Sequence, residues 1–392
     1  MIKFPKSFLW GSATSSYQTE GGNKHSDWWY WEIRNKRERS GPACDFWNRY
    51  PEYFEYLKQG GMNCFRLSVE WARIQPQKNR WDAKAFERYR EIIRDLRKEG
   101  IEPVVTLWHF TLPQWLAKTG GWLNPQALAY FEKYVKKAQK ELGHEIRYWI
   151  TLNEPGVYIF KSYLEADWPP QKGIALFDAI KVREVLVRAH QIAFSILKTK
   201  INFVSSAFNL SSDEIKNTWN PVNHLVKYFL ENFSDWGFLK RLKNELDFIG
   251  INYYFHNIIN LPYQVAGDNK KSKDRSDLGW EIYPKGIYLV SKKAFSIAKK
   301  PIMITENGIA DDTDKKRENF LKEHIRWLHR AFEQGTPIIG YLHWSLVDNF
   351  EWALGKKPRF GLLAMDYKKM KFLPRNSFWF YKKLIETYTE KV

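Results

Sequence analysis

Residues 149–155 read WITLNEP, and residues 301–308 read PIMITENG. Each is a short run of apolar, β-branched and aromatic residues that breaks off at a glutamate, Glu154 in the first and Glu306 in the second. Strands apolar on both faces belong to parallel sheets covered on both sides. A carboxylate closing such a strand is costly unless something pairs with it or it stays protonated. Runs of the same kind predict eight strands: 8–14, 63–69, 103–109, 148–153, 203–209, 248–254, 301–306 and 339–345. Between them the apolar residues recur at helical spacing. Segment 83–99 carries Phe86, Tyr89, Ile92, Ile93 and Leu96 on one side, and 319–334 carries Phe320, Leu321, Ile325, Leu328 and Phe332. Gly100 and Gly335 follow as natural helix stops. Strands alternating with helices predict an α/β fold, a (β/α)8 TIM barrel. No linker, repeat or low-complexity tract divides the chain, so residues 1–392 are expected to form a single domain.

The totals are compatible with that fold. With 44% hydrophobic and 17% aromatic residues the chain can bury a large core, and its 19 tryptophans exceed ordinary use. Surplus indole suits stacking on the C–H faces of sugar rings, although any single Trp is more often core. Cys44 and Cys64 form neither a disulfide framework nor a metal cluster and fit a reducing compartment. The first residues lack signal-peptide architecture, and no run reaches the roughly 18 apolar residues of a membrane span. A cytoplasmic protein with no membrane partner is expected. The net charge of +18 raises nucleic acid as a partner, but the cations are interleaved with acids along helical segments. The densest basic run, Lys270–Arg275 (KKSKDR), reads as a loop. No nucleic-acid partner is expected, and oligomeric state is left open.

A parallel barrel builds its active site where the strands end, and useful residues gather there. The first strand leads into Tyr17, Gln18, Thr19 and Glu20; the second holds Arg66 and ends near Glu70 and Trp71. The third ends at Trp108 and His109, the fourth at Asn153 and Glu154, the sixth at Asn252, Tyr253 and Tyr254. The seventh ends at Glu306, and the eighth at His343 and Trp344, followed by Asp348 to Trp352. Glu154 and Glu306 would face each other across the barrel mouth, three strands apart. Two carboxyls flanking a cavity suit glycoside hydrolysis, about 5–5.5 Å apart for retention and roughly 6.5–9.5 Å for inversion. Taken singly, each also fits a structural ion pair or a helix-start carboxylate. Gln18, His109, Asn153 and Glu351 offer polar groups for sugar hydroxyls, with Trp344 and Trp352 as aromatic floor and rim. No metal site or cofactor is expected: the nine histidines include no HxH or HExxH, and no GxSxG, Walker loop or GxGxxG occurs.

These residues sit in a series of segments that resembles the family 1 glycoside hydrolases, the β-glucosidases, β-galactosidases and relatives. The series runs through FPKSFLWGSATSSYQTEGG, FRLSVEWARIQP, GIEPVVTLWHFTLPQWL, GGW, WITLNEP, DFIGINYY, GWEIYPKGIY, PIMITENG, GYLHWSLVDNFEWALG and RFGL, essentially the whole chain. The resemblance implies a retaining, exo-acting β-glycosidase with Glu154 as acid/base and Glu306 as nucleophile. It implies that Gln18, His109, Asn153, Trp344, Glu351 and Trp352 hold the non-reducing sugar, and that Tyr254 hydrogen-bonds the nucleophile. Arg66 and Asn252 are supporting residues; Arg66 should keep Glu306 ionised, while Glu154 starts protonated in a drier spot. Glu351 would repel a 6-phospho sugar, and an intact Glu154 favours O-glycosides over thioglycosides. Two departures stand out. Trp108 and Phe110 flank His109 where many members have Tyr and Trp, which should loosen one sugar contact. The 209–247 stretch is short for the family, which predicts an open aglycone side. Two other readings share the site, a transglycosidase and a sugar-binding protein without catalysis.

Overall fold

The computed structural model describes residues 2–261, 272 and 274–390. Eight strands close a parallel barrel: β1 (Leu9–Ala13), β2 (Cys64–Ser68), β3 (Glu102–Trp108), β4 (Tyr148–Asn153), β5 (Phe203–Asn209), β6 (Ile249–Tyr253), β7 (Ile302–Asn307) and β8 (Ile338–Trp344). They neighbour one another in chain order, and β1 pairs with β8, Leu9 opposite Gly340 through Ala13 opposite Trp344. All eight predicted strands are present within a few residues of their expected ends. The fold is therefore the expected (β/α)8 barrel.

Alternation along each strand sorts its side chains. Leu9, Cys64, Val104, Ile150, Ala207, Met303 and Leu342 meet in one cluster that fills the lumen. Phe65, Leu67, Val105, Leu107 and Trp149 join the larger cluster beneath the helices. Arg66 lies two residues beyond Cys64 and so shares its inward face, which carries a guanidinium into the barrel.

The outer helices follow the predicted periodicity. Ala83–Lys98 buries Ala85, Phe86, Tyr89, Ile92, Ile93 and Leu96, and is capped by Asp82, whose carboxylate accepts from Ala85 N at 3.0 Å. Arg317–Glu333 begins two residues earlier than the periodicity predicts. Gly100 and Gly335 have φ of 71° and 81°, the left-handed geometry that ends a helix and favours glycine. Among the described residues no helix is long and apolar enough to cross a membrane. Of the basic run at 270–275, Lys270, Lys271 and Lys273 lie outside the described residues.

The excursion between β5 and β6 holds a strand, Ser212–Ile215, paired in parallel with His256–Ile259, and two helices, Pro221–Phe233 and Asp235–Leu242. The first of these helices is mostly exposed. The second buries Trp236, Phe238, Leu239 and Leu242 against the barrel.

Candidate active site

Both glutamates stand at the same end of the barrel, three strands apart in the closed order. Glu154 directly follows β4, its N–H bonded to Ala207 O at 2.8 Å. Its backbone is left-handed, with φ 43° and ψ 57°. A glutamate there costs about 1 kcal/mol or more, so the surrounding contacts must over-determine it. Pro155 then opens the helix Pro155–Ile159. Glu306 lies within β7.

The two carboxyls are buried alike, 6% and 4% exposed, so dryness does not distinguish them. Their partners do. Arg66 is wholly buried and spans the site: Nη1 donates to Glu306 Oε1 at 2.5 Å and to Thr305 O at 3.2 Å. Its Nη2 donates to Asn153 Oδ1 at 2.7 Å, and its Nε to Thr106 Oγ1 at 3.0 Å. Tyr254 donates its hydroxyl to Glu306 Oε2 at 2.7 Å. Among the described residues Glu154 Oε1 accepts only from carboxamides, Asn252 Nδ2 at 2.7 Å and Asn209 Nδ2 at 3.1 Å. The Asn252 amide also reaches Asn153 Oδ1 at 3.1 Å, while its oxygen accepts from Thr305 at 2.7 Å.

Charge follows these contacts. Burial raises the pKa of both carboxyls. At Glu306 the Arg66 cation and the Tyr254 hydrogen bond oppose burial. At Glu154 the negative Glu306 adds to it, Asp235 pushes the same way, and only neutral amides oppose. The first negative charge of the pair therefore belongs on Glu306, and the remaining proton on Glu154. Tyr254 is held far above its ordinary range by burial and then by Glu306, so it remains a donor.

The remaining predicted residues line one wall. Gln18 donates to Glu351 Oε2 and Asn349 Oδ1, each at 3.1 Å, and accepts from Ser15 at 2.8 Å. Burial, with Glu306 nearby, pushes Glu351 up to about 8 against the Gln18 hydrogen bond. The His109 Nε2 and the Asn153 amide lie 3.2 Å apart. Burial and then Arg66 hold His109 well below its usual value, so its ring is neutral. That ring is nearly parallel to Trp344 and Trp352, at 6.0 and 5.9 Å between centroids. Trp352 packs in turn on Tyr17, Trp28, Phe110 and Trp168. Buried polar groups normally find partners, yet His109 Nδ1 and Asn349 Nδ2 have none among the described residues. Both remain available to a polar ligand.

These contacts link Glu154, Glu306, Arg66, Asn153, Asn252, Tyr254 and His109, with Trp344 and Trp352 on His109 and Gln18 on Glu351. Other residues noted at strand ends turn elsewhere: Glu70 accepts from Thr111 at 2.9 Å, Tyr253 donates to Tyr283 O at 2.7 Å, and Asp348 accepts from Arg375 at 2.8 Å. Four more belong with the linked group. Asn209 ends β5, the single strand whose last residue was passed over; the rule that found the others finds it too. Asn349 sits between residues already noted. Trp280, beside Tyr254 at 5.9 Å, and Trp168 come from loops with no periodic signal.

Comparison with known proteins bears on this geometry. The profile of glycosyl hydrolase family 1 matches residues 1–223 and 236–390. The chain is 31% identical over 440 aligned positions to β-glucosidase A of Thermotoga maritima, covering 98% of each protein. Among solved structures it is similar to a β-glycosidase from Pyrococcus horikoshii, with TM-score 0.91, 35% identity and coverage of 99% of this chain and 98% of that one. It is also similar to the Thermotoga maritima β-glucosidase in complex with glucoimidazole, with TM-score 0.91, 29% identity and coverage of 99% and 100%. With nearly the whole length matched and both carboxyls at the same end of the barrel, the chain belongs to glycosyl hydrolase family 1.

Proposed function

We propose that this glycoside hydrolase is an exo-acting retaining β-glycosidase, cleaving O-linked β-glucosides and related galactosides or fucosides by double displacement. The observation that carries the proposal is the asymmetry of the two carboxyls: one is held by a guanidinium and a phenol, the other by carboxamides alone. Glu306 attacks the anomeric carbon as Glu154 gives its proton to the departing oxygen, leaving the sugar esterified to Glu306. With the proton gone, Glu154 takes one from a water that attacks the same carbon, and the sugar leaves with its original configuration. Asn153 and Glu306 bind the 2-hydroxyl, a contact that strengthens as oxocarbenium character develops.

On the sugar side, Gln18, His109, Asn349 and Glu351 hold hydroxyls, and the unpartnered His109 Nδ1 and Asn349 Nδ2 support this role. Raised to about 8, Glu351 offers a sugar both a donor and an acceptor near neutral pH, and above that value it is a carboxylate that repels a phosphate at C6. Phe110 packs on Trp168 and Trp352 without a polar atom to offer, which supports a loosened contact to one hydroxyl. The short connection from Asn209 to Asp247 supports an open aglycone side that accepts bulky leaving groups. The enzyme acts as a single domain in the cytoplasm, without a nucleic-acid or membrane partner. Two free buried cysteines support a reducing compartment. Proton NMR of the first-formed sugar from an aryl β-glycoside tests the mechanism: the β-anomer is expected, and an α-anomer appearing first would overturn it.

A further inference from the structure

We infer that Asp235 is a positioning residue that holds Glu154 in its working geometry by clamping together the chain beyond β4 and the end of β5. The inference rests on the acid/base role proposed for Glu154. Asp235 is buried at the start of the helix Asp235–Leu242 and is the last residue of the 224–235 segment outside the family match. Its carboxylate is bidentate toward backbone: Oδ1 accepts from Gly156 N at 2.8 Å and Oδ2 from Asn209 N at 3.1 Å. Gly156 lies two residues beyond Glu154. Asn209 is the residue whose amide donates to Glu154 Oε1. One carboxylate therefore fixes both the backbone that carries Glu154 and the side chain that orients it.

Three further observations support the clamp. Glu154 occupies a left-handed conformation that needs external support. Gly156 is shaped to receive Asp235, since a Cβ there would lie 2.8 Å from Asp235 N and 3.0 Å from its Oδ1. The helix carrying Asp235 is itself anchored, with Trp236 buried and its indole N–H donating to Ser211 O at 3.0 Å. Losing the clamp should misplace the acid while leaving Glu306, Arg66 and the sugar wall intact. The loss should then grow as the leaving group depends more on protonation.

The test compares Asp235→Ala, Asp235→Asn and Glu154→Gln on aryl β-glucosides of graded leaving-group acidity. Asp235→Ala should lower kcat/KM, which reports the glycosylation step alone, about thirtyfold with poor leaving groups and under about threefold with activated ones, a part of the full effect of an acid catalyst. Asp235→Asn keeps the shape and one acceptor and should show the same selectivity at smaller size, which preserves the test if the alanine variant does not fold. In a Glu154→Gln background Asp235→Ala should add less than about twofold, because both changes act through one group. Equal losses on both substrate types, or an undiminished Asp235→Ala effect in the Glu154→Gln background, would overturn the clamp. If Glu154→Gln alone were unselective, the acid assignment would fail instead, so the two failures are distinguishable.

Discussion

The end of β7 and the end of β4 offer the same group at the same end of the barrel and surround it differently. Glu306 meets a guanidinium, which carries full charge, and a phenol. Glu154 meets two carboxamides, which orient it without charge. Burial raises both acids, so burial alone cannot divide their roles. Division comes from placing one cation on one side, and the negative charge it favours there then holds the proton on the other. Buried Arg66, with Tyr254 beside it, favours the charge on Glu306, and that charge adds to burial in holding the proton on Glu154.

Removing Glu306 should break this comparison most severely. Glu306→Gly should cost at least about 10⁴-fold in kcat, since the bond-forming group is gone, with partial recovery in azide. Turnover of an aryl β-glucoside with and without azide checks it. Next, Arg66→Met should remove the asymmetry itself. Because Glu306 must be ionised, activity falls as pH drops through its pKa. Without the cation that pKa rises, so the acid limb of kcat/KM should move up by about one unit or more. Tyr254→Phe removes one hydrogen bond to the same carboxylate and should move that limb the same way by about half a unit, with roughly tenfold loss of kcat. Asn209→Ala should act on the opposite limb and least. Its amide lowers the Glu154 pKa, and Glu154 must be protonated, so its loss should carry the alkaline limb upward by a few tenths of a unit. A shift of the acid limb in Asn209→Ala, or of the alkaline limb alone in Arg66→Met, would contradict the division of roles.

The strands were legible because a barrel strand is buried on both faces and reads as an apolar run wherever it stands; all eight appear within a few residues of their expected ends. Residues such as Gln18, His109, Asn153 and Glu351 were legible because strand ends are positions in a pattern. Asp235 was not. It sits in an irregular excursion, where no period marks it, and its meaning depends on Gly156 and Asn209, which are distant in sequence. The drier spot expected for Glu154 is absent, since both carboxyls are buried alike, and nothing in a strand's composition reports how deeply the end of a neighbouring strand is covered.

Periodicity and residue type along the chain determined the barrel, the end at which its chemistry lies and the two carboxylates that face each other there. The family resemblance implied the charge on Glu306 and the proton on Glu154. Only the tertiary structure supplied the contacts that favour that division and the backbone contacts that hold the acid in a left-handed turn. The physical reason is range. Burial on alternating faces is written into neighbouring residues, whereas electrostatic balance and hydrogen-bond geometry depend on groups that only the closed barrel brings within 3 Å or so of each other.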